Sequence, residues 1–311
     1  MANKQIILED LPYEDRLKYI EEMRKINLAK NKPEFTYYGY RCEQNNITKI
    51  EEIPTFNAHT KMEYHLGING LYGNLRMTDF FCEFSMAELN GVVNSLKKIE
   101  FIKNNIFFEI DKNEGVISKV LNKKELCDNW NEYKKNELLT DPYIEKMTKR
   151  NSNLLDEIIQ AGNLQFSKDY PLVKEYDKIL FHHILFNKYL VTDIHNLKND
   201  VYYTNSQLFR DINLKIDIVY KVVKNDDLIT IKQKGVVDKR VLNMKGIEDR
   251  YNANYKPLIK YSFTDFDLEY NVIFKIDPNI NIIHSAEASI IETVKNNCQN
   301  ITSFNLKKIE L

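Results

Sequence analysis

The sequence predicts an α+β fold: two β-rich antiparallel modules separated by a helical segment. Three observations carry this expectation. The chain repeats itself, since NNIFFEIDKNEGVI (104–117) aligns without gaps on YNVIFKIDPNINII (270–283), 166 positions later. INLKIDIVYKVV (212–223) alternates strictly, with Ile212, Leu214, Ile216, Ile218, Tyr220 and Val222 on one side, as a half-buried strand requires. Between these β-rich stretches, residues 141 to about 190 switch to helical spacing of their apolar positions. The expected organisation is an N-terminal module over 1–140, a helical middle over 141–199 and a C-terminal module over 200–311. Helices should cover one face of curved sheets, because each strand has a single apolar face.

The elements follow in order. Asp10 and Pro12 open a helix whose face is Tyr13, Leu17, Ile20, Met23 and Ile26, and Pro33 ends it. FTYYGYRC (35–42) reads as a strand with Tyr37, Tyr38 and Tyr40 placing rings on both faces. Asn69-Gly70, between two short apolar runs, predicts a tight hairpin with positive φ at both central residues. Ser85 to Glu88 has the form of a capping box, with Met86, Leu89, Val93, Leu96 and Ile99 on the inward face of the helix it opens.

The first copy of the echo reads strand, turn, strand: NIFFEI, DKNEG, VISKVL. Its identities include Asn105/Asn271, Phe108/Phe274, Ile110/Ile276, Asp111/Asp277, Asn113/Asn279 and Ile117/Ile283. Asn122 with Glu125 starts the next helix, carrying Leu126, Trp130, Tyr133 and Leu138. Asp141-Pro142 opens another, with Leu154, Leu155, Ile158 and Ile159 on the apolar face of that stretch. Tyr170-Pro171 opens a third, with Leu172, Tyr176, Ile179, Leu180 and residues 183–186 inward. Asn225 to Asp227 is a turn from which LITIKQKG returns antiparallel. Residues 243–254 suggest a short helix and 286–294 another, among further strands that run to the C-terminus. A second echo, Thr78-Asp79-Phe80 against Thr264-Asp265-Phe266, would extend the duplication if the Ser85 helix were an insertion.

Composition narrows function. The 44 basic and 45 acidic residues nearly cancel, which argues against a nucleic-acid partner. The densest basic run, 232–240, is interrupted by Asp238 and reads as a solvated face. No run approaches a membrane span, and the N-terminus lacks an apolar signal core. Cys42, Cys82, Cys127 and Cys298 are scattered, as expected of free thiols in a reducing cytoplasm. The abundance of Asn, Lys and Ile suggests an AT-rich, bacterial source.

No residue pattern marks a catalytic, cofactor or metal site, and none is assigned. Starting an EF-hand at Asp111 puts Val116 and Asn122 at the sixth and twelfth positions; starting at Asp277 puts Ile282 and Ala288 there. Both Asp-x-Asn segments therefore read as structural turns. Gly67, Gly70 and Gly73 lack the helix and Lys of a phosphate loop. His59, His65, His182, His183, His195 and His284 show no metal spacing. His182-His183 reads as one core and one surface histidine in an apolar helix. Asp265/Asp267 is one of many carboxylate pairs whose proximity sequence cannot judge. The expected function is a non-enzymatic protein-interaction module, a subunit, adaptor or immunity-like binder. Two alternatives stand beside it: a carrier for an apolar small molecule, lined by Phe107, Phe274 and Ile218, and a hydrolase of unknown type.

Overall fold

A computed structural model describes residues 35–311, apart from 193, 195, 196, 198, 225 and 226. The helix expected over 13–26, His195 and most of the Asn225 turn lie outside the described residues.

Eleven strands form one antiparallel sheet: β1 (Thr36–Ile50), β2 (Ile53–Asn69), β3 (Tyr72–Phe84), β4 (Asn105–Ile110), β5 (Ile117–Val120), β6 (Asp200–Asn205), β7 (Asn213–Lys224), β8 (Ile229–Val237), β9 (Phe266–Asp277), β10 (Ile282–Val294) and β11 (Cys298–Ile309). Their order is β5-β4-β3-β2-β1-β11-β10-β9-β8-β7-β6. Strands that the sequence divides between two modules thus meet at the centre. There β1 pairs with β11 from Gly39↔Ile309 to Ile50↔Cys298.

Eight α-helices accompany the sheet among the described residues. Helix α1 (Ala87–Lys103) joins β3 to β4. Helices α2 (Lys123–Asn136), α3 (Pro142–Thr148), α4 (Leu154–Gln165), α5 (Leu172–Lys178) and α6 (Leu180–Leu185) lie between β5 and β6. Helices α7 (Met244–Asn254) and α8 (Lys256–Ile259) join β8 to β9. The fold is therefore mixed α+β, as the alternating strands and helical middle predict.

Alternation sets the inner face. On β9, Phe266, Leu268, Tyr270, Val272, Phe274 and Ile276 are buried, while the residues between them are not. The helices of the middle fill the concave side of this face. The sheet curls strongly. At ~4.8 Å per strand, a flat arrangement would hold β5 and β6 about 48 Å apart. Instead Lys188 Nζ reaches both Glu114, in the turn before β5 (3.0 Å), and Asp200 on β6 (3.5 Å). Both edge strands are short, which limits the unpaired backbone they present.

Local chemistry explains most elements. Asp141 caps α3 by accepting from the Tyr143 and Ile144 N–H groups, and Pro142 fits the first turn. The β2–β3 hairpin turns one residue later than Asn69-Gly70 implies. Asn69 pairs with Tyr72, so Gly70 and Leu71 are central, and only Gly70 has positive φ (56°). The two echo turns match closely. Asp111 Oδ1 accepts from the Asn113 N–H, and Asp277 Oδ1 from the Asn279 N–H, both at or near 2.8 Å. Four residues after each Asp, Gly115 and Asn281 both take positive φ.

Other expectations fail for identifiable reasons. Residues 286–294 belong to β10, not to a helix. Ala286, Ala288, Ile290, Glu292 and Val294 all face inward between β9 and β11, and that pairing overrides the helical propensity of Ala and Glu. The capping box at Ser85 does not form, because the Ser85 hydroxyl accepts from the Asn57 N–H on β2. The second echo places Thr78 to Phe80 inside β3 but Thr264 to Phe266 at the start of β9, the strand that the main echo aligns with β4.

Candidate functional site

Tyr176 to Tyr189 is the part of the chain whose packing asks most for an explanation. Helix α6, LFHHIL, is apolar almost all round, so it can only be an interior helix. Its rings and those just after it touch strands far apart in the sheet. Phe181 stacks on Tyr64 of β2 (4.1 Å), and Phe186 meets Phe108 of β4 edge-on (5.0 Å). His183 stacks on Tyr202 of β6 (3.9 Å, 19°). One short helix thus plugs the hollow of the curled sheet.

Where the two sheet edges approach, a cleft of about 200 Å³ remains. Val116 and Ile117 form one wall, and Val201, Tyr202 and Tyr203 the other. The floor and mouth come from α5 and α6, with Tyr176, Asp177, His182 and His183. Helix α5 is pinned across the gap. Tyr176 donates its hydroxyl to the Lys103 carbonyl (2.6 Å), and Tyr202 and Thr204 both donate to the Lys178 carbonyl (2.8 and 3.1 Å). At the cleft wall the single Tyr220 hydroxyl proton is shared between Asp200 (3.0 Å) and Asn187 Oδ1 (3.2 Å).

The two histidines stand out. His182 is 3% exposed, and neither of its ring nitrogens makes a hydrogen bond. Its ring lies edge-on to Tyr176 (4.7 Å) and Phe181 (5.1 Å). His183 Nε2 is likewise buried and unpartnered. Buried polar atoms in folded proteins are nearly always satisfied, so three orphans in one cleft require an account. Burial, with a smaller contribution from the Lys103 ammonium, pulls the His182 pKa down to about 3. Burial pulls His183 down to about 4 against the opposing field of Asp200. Both rings are neutral at physiological pH, and each then offers one donor and one acceptor. Asp177 keeps solvent contact at the mouth, and its partial burial pushes the carboxyl up to about 6.

The two imidazoles are poorly tuned for proton transfer, whereas the Asp177 carboxyl, near 6, is not. A base of pKa 3 to 4 has little driving force at neutral pH. No cysteine lines the cleft, and the serines and threonines around it are not among its walls. Among the described residues no three His, Cys, Asp or Glu side chains are placed to hold a metal ion.

The remaining candidates from the sequence are accounted for by packing. His182 is buried and makes no hydrogen bond, whereas His183 is half-buried with its Nε2 enclosed. Asp111 is occupied by the turn N–H groups of Asn113 and Glu114. Gly73 is a close-approach glycine, since a Cβ there would fall 2.2 Å from the Phe108 ring. In the basic run, Arg240 holds Asp238 at 2.8 Å, as does Lys215 of β7, and Lys239 holds Asp265. Asp267 accepts from its neighbour's N–H and joins no cleft. His59 pairs with Glu43 (2.6 Å) on the outer side of the β1–β2 hairpin. Phe107, Phe274 and Ile218 do not converge: the latter two are packed in the core, while Phe107 projects from the opposite side of β4 to Phe108, facing Tyr72.

Sequence reasoning missed Glu114, Asp177 and Asp200, which come from three distant segments and carry no motif. The one legible signal was the adjacent histidine pair in an otherwise apolar helix. The chain matches no protein-family model and no curated protein. No helix among the described residues is long and apolar enough to cross a membrane.

Proposed function

We propose that the protein is a non-catalytic binding protein whose recognition site is the His182–His183 cleft, and that its ligand is a small polar molecule. The observation that carries this reading is the trio of unpartnered, buried imidazole nitrogens on two residues that line the cleft. Leaving such atoms unsatisfied costs about 1–3 kcal/mol each, a cost that a hydrogen-bonding ligand would offset. A protein-partner role has less support. On the open face of the sheet the exposed apolar residues are interleaved with charge: Val236 sits between Asp217 and Glu269, and Ile273 between Lys232 and Glu287. No broad apolar patch results. The apolar-carrier reading loses its supposed lining, as described above.

We also infer a tandem duplication of a β-β-β-α-β-β unit. Its support is the parallel sequence of elements, β1–β3, α1, β4–β5 against β6–β8, α7–α8, β9–β10, with matching Asx turns. On that reading the cleft lies where the halves differ. Only the first turn, through Glu114 and Val116, reaches it. Four free thiols support a reducing compartment, the cytoplasm of a bacterium by the reading of composition.

The test is imidazole-selective nitrogen NMR during titration of a library of small polar fragments. The expected result is hits whose perturbations centre on His182 and His183. Hits that leave both rings unchanged and cluster on the open sheet face would overturn the reading.

A further inference from the structure

We propose that the cleft selects a protonated amine that also carries a hydroxyl or carbonyl oxygen. This rests on the binding role of the cleft and names the class of ligand it takes.

Three carboxylates line the cleft, those of Glu114, Asp177 and Asp200, and no Lys or Arg lines it. The nearest cations are committed elsewhere. Lys188 lies behind the wall, shared between Glu114 and Asp200. Lys103 is paired with Glu100 (3.0 Å), and Lys178 with Glu175 (3.7 Å). One lysine against three carboxylates leaves the site net negative, and Asp177 makes no hydrogen bond or ion pair among the described residues. An anion would meet uncompensated repulsion there. A cation entering the mouth finds in Asp177 a carboxylate that no protein cation neutralises.

The walls agree with this sign. Of the aromatic residues lining the space, Tyr203 is exposed, whereas Tyr176, Tyr202 and Phe186 are buried. An exposed ring face attracts an ammonium group, so Tyr203 adds to the preference for a cation. The histidines add direction. Each neutral ring has one lone-pair nitrogen able to accept from an N–H and one N–H that needs an acceptor. An ammonium satisfies the first together with Asp177, but only a ligand oxygen satisfies the second. A purely cationic alkylamine would therefore leave His182 half-satisfied, whereas an amino alcohol or amino carbonyl compound would satisfy both of its nitrogens. The small volume limits the ligand to metabolite size or below.

The experiment uses three probes of one chain length on the full protein at pH 7.5: 4-aminobutanol, 1,4-butanediol and 4-hydroxybutyrate. Calorimetry reads affinity, and histidine nitrogen shifts read location. The expected order is amine tighter than diol by roughly tenfold or more, with the carboxylate not binding. Raising the salt should narrow the gap between amine and diol. Asp177→Asn should bring the amine down to the affinity of the diol, while His182→Phe should weaken both. Asp177 is at the surface with no partner to lose, so the first variant tests selectivity without endangering the fold. Diol and amine binding equally, both shifting the histidines, would overturn the cation selectivity and leave the binding role intact. Probes that bind without moving either histidine would overturn both.

Discussion

His182→Phe separates a functional cleft from an ordinary core histidine. The substitution keeps the aromatic contacts with Tyr176, Phe181 and Phe186 and removes two buried nitrogens that no protein atom satisfies. Those nitrogens cost about 1–3 kcal/mol each, and the slightly larger phenyl ring returns about 1–3 kcal/mol as overpacking. The net expectation at pH 7 is a change between about −1 and +5 kcal/mol, centred near 2 kcal/mol in favour of the variant. Acid widens the difference. The folded-state pKa of about 3 lies below the ordinary 6.5, so between these values the unfolded chain is protonated at His182 and the folded one is not. The wild type therefore loses stability as pH falls below about 6.5, at ~1.4 kcal/mol per pH unit from this residue, or about 2 kcal/mol by pH 5. The variant lacks that slope. A like contribution from His183, held down to about 4, and opposing ones from Asp177 and Glu292, whose folded-state pKa values are raised, are common to both proteins and cancel in the comparison. Urea melts at pH 5, 6 and 7 read the difference directly. A variant that is less stable than wild type by more than about 1 kcal/mol at pH 7, or one that keeps the wild-type slope, would refute the claim that the ring is unsatisfied. A stabilised protein that no longer binds would be the mark of a site kept at the expense of stability.

Three further outcomes are expected. Glu292 is buried on the inner face, where its carboxylate accepts from the Ser206 hydroxyl and from the Gln207 and Leu208 N–H groups. Glu292→Gln turns an NH₂ toward at least one of these donors and should cost about 2–4 kcal/mol in urea melts; a neutral result would mean the carboxyl is already protonated and donating. Gly115→Asn gives the first echo turn the residue of the second, but its Cβ would sit 2.1 Å from the Asn187 carbonyl, so a loss above about 2 kcal/mol is expected. The reciprocal Asn281→Gly should cost less than about 1 kcal/mol, and equal effects would show that docking on residue 187 is not what requires glycine. Lys188→Met removes the link between the sheet edges and should cost about 1 kcal/mol while speeding amide exchange in β5; unchanged exchange would show that the pair contributes nothing to closure.

Much of the fold was legible because strand alternation and turn chemistry are local. The Asp111 and Asp277 turns, the Asp141 cap and the inward face of β7 and β9 each depend on residues within a few positions of one another. Residues 286–294 were misread because Ala and Glu favour helix when isolated, and only pairing with β9 and β11 makes them a strand. The Ser85 cap was misread because its hydroxyl is taken by Asn57, 28 residues away.

The sequence by itself determined the α+β class, the echo at Asn105 and Asn271, and the odd presence of two histidines in an apolar helix. Tertiary structure alone decided that the strands join as one sheet through β1 and β11 and that this sheet curls until β5 and β6 face each other. Curling is a sum of small twists over eleven strands, which no local pattern encodes. It is also what brings Glu114, Asp177 and Asp200 around His182 and His183 to line one cleft.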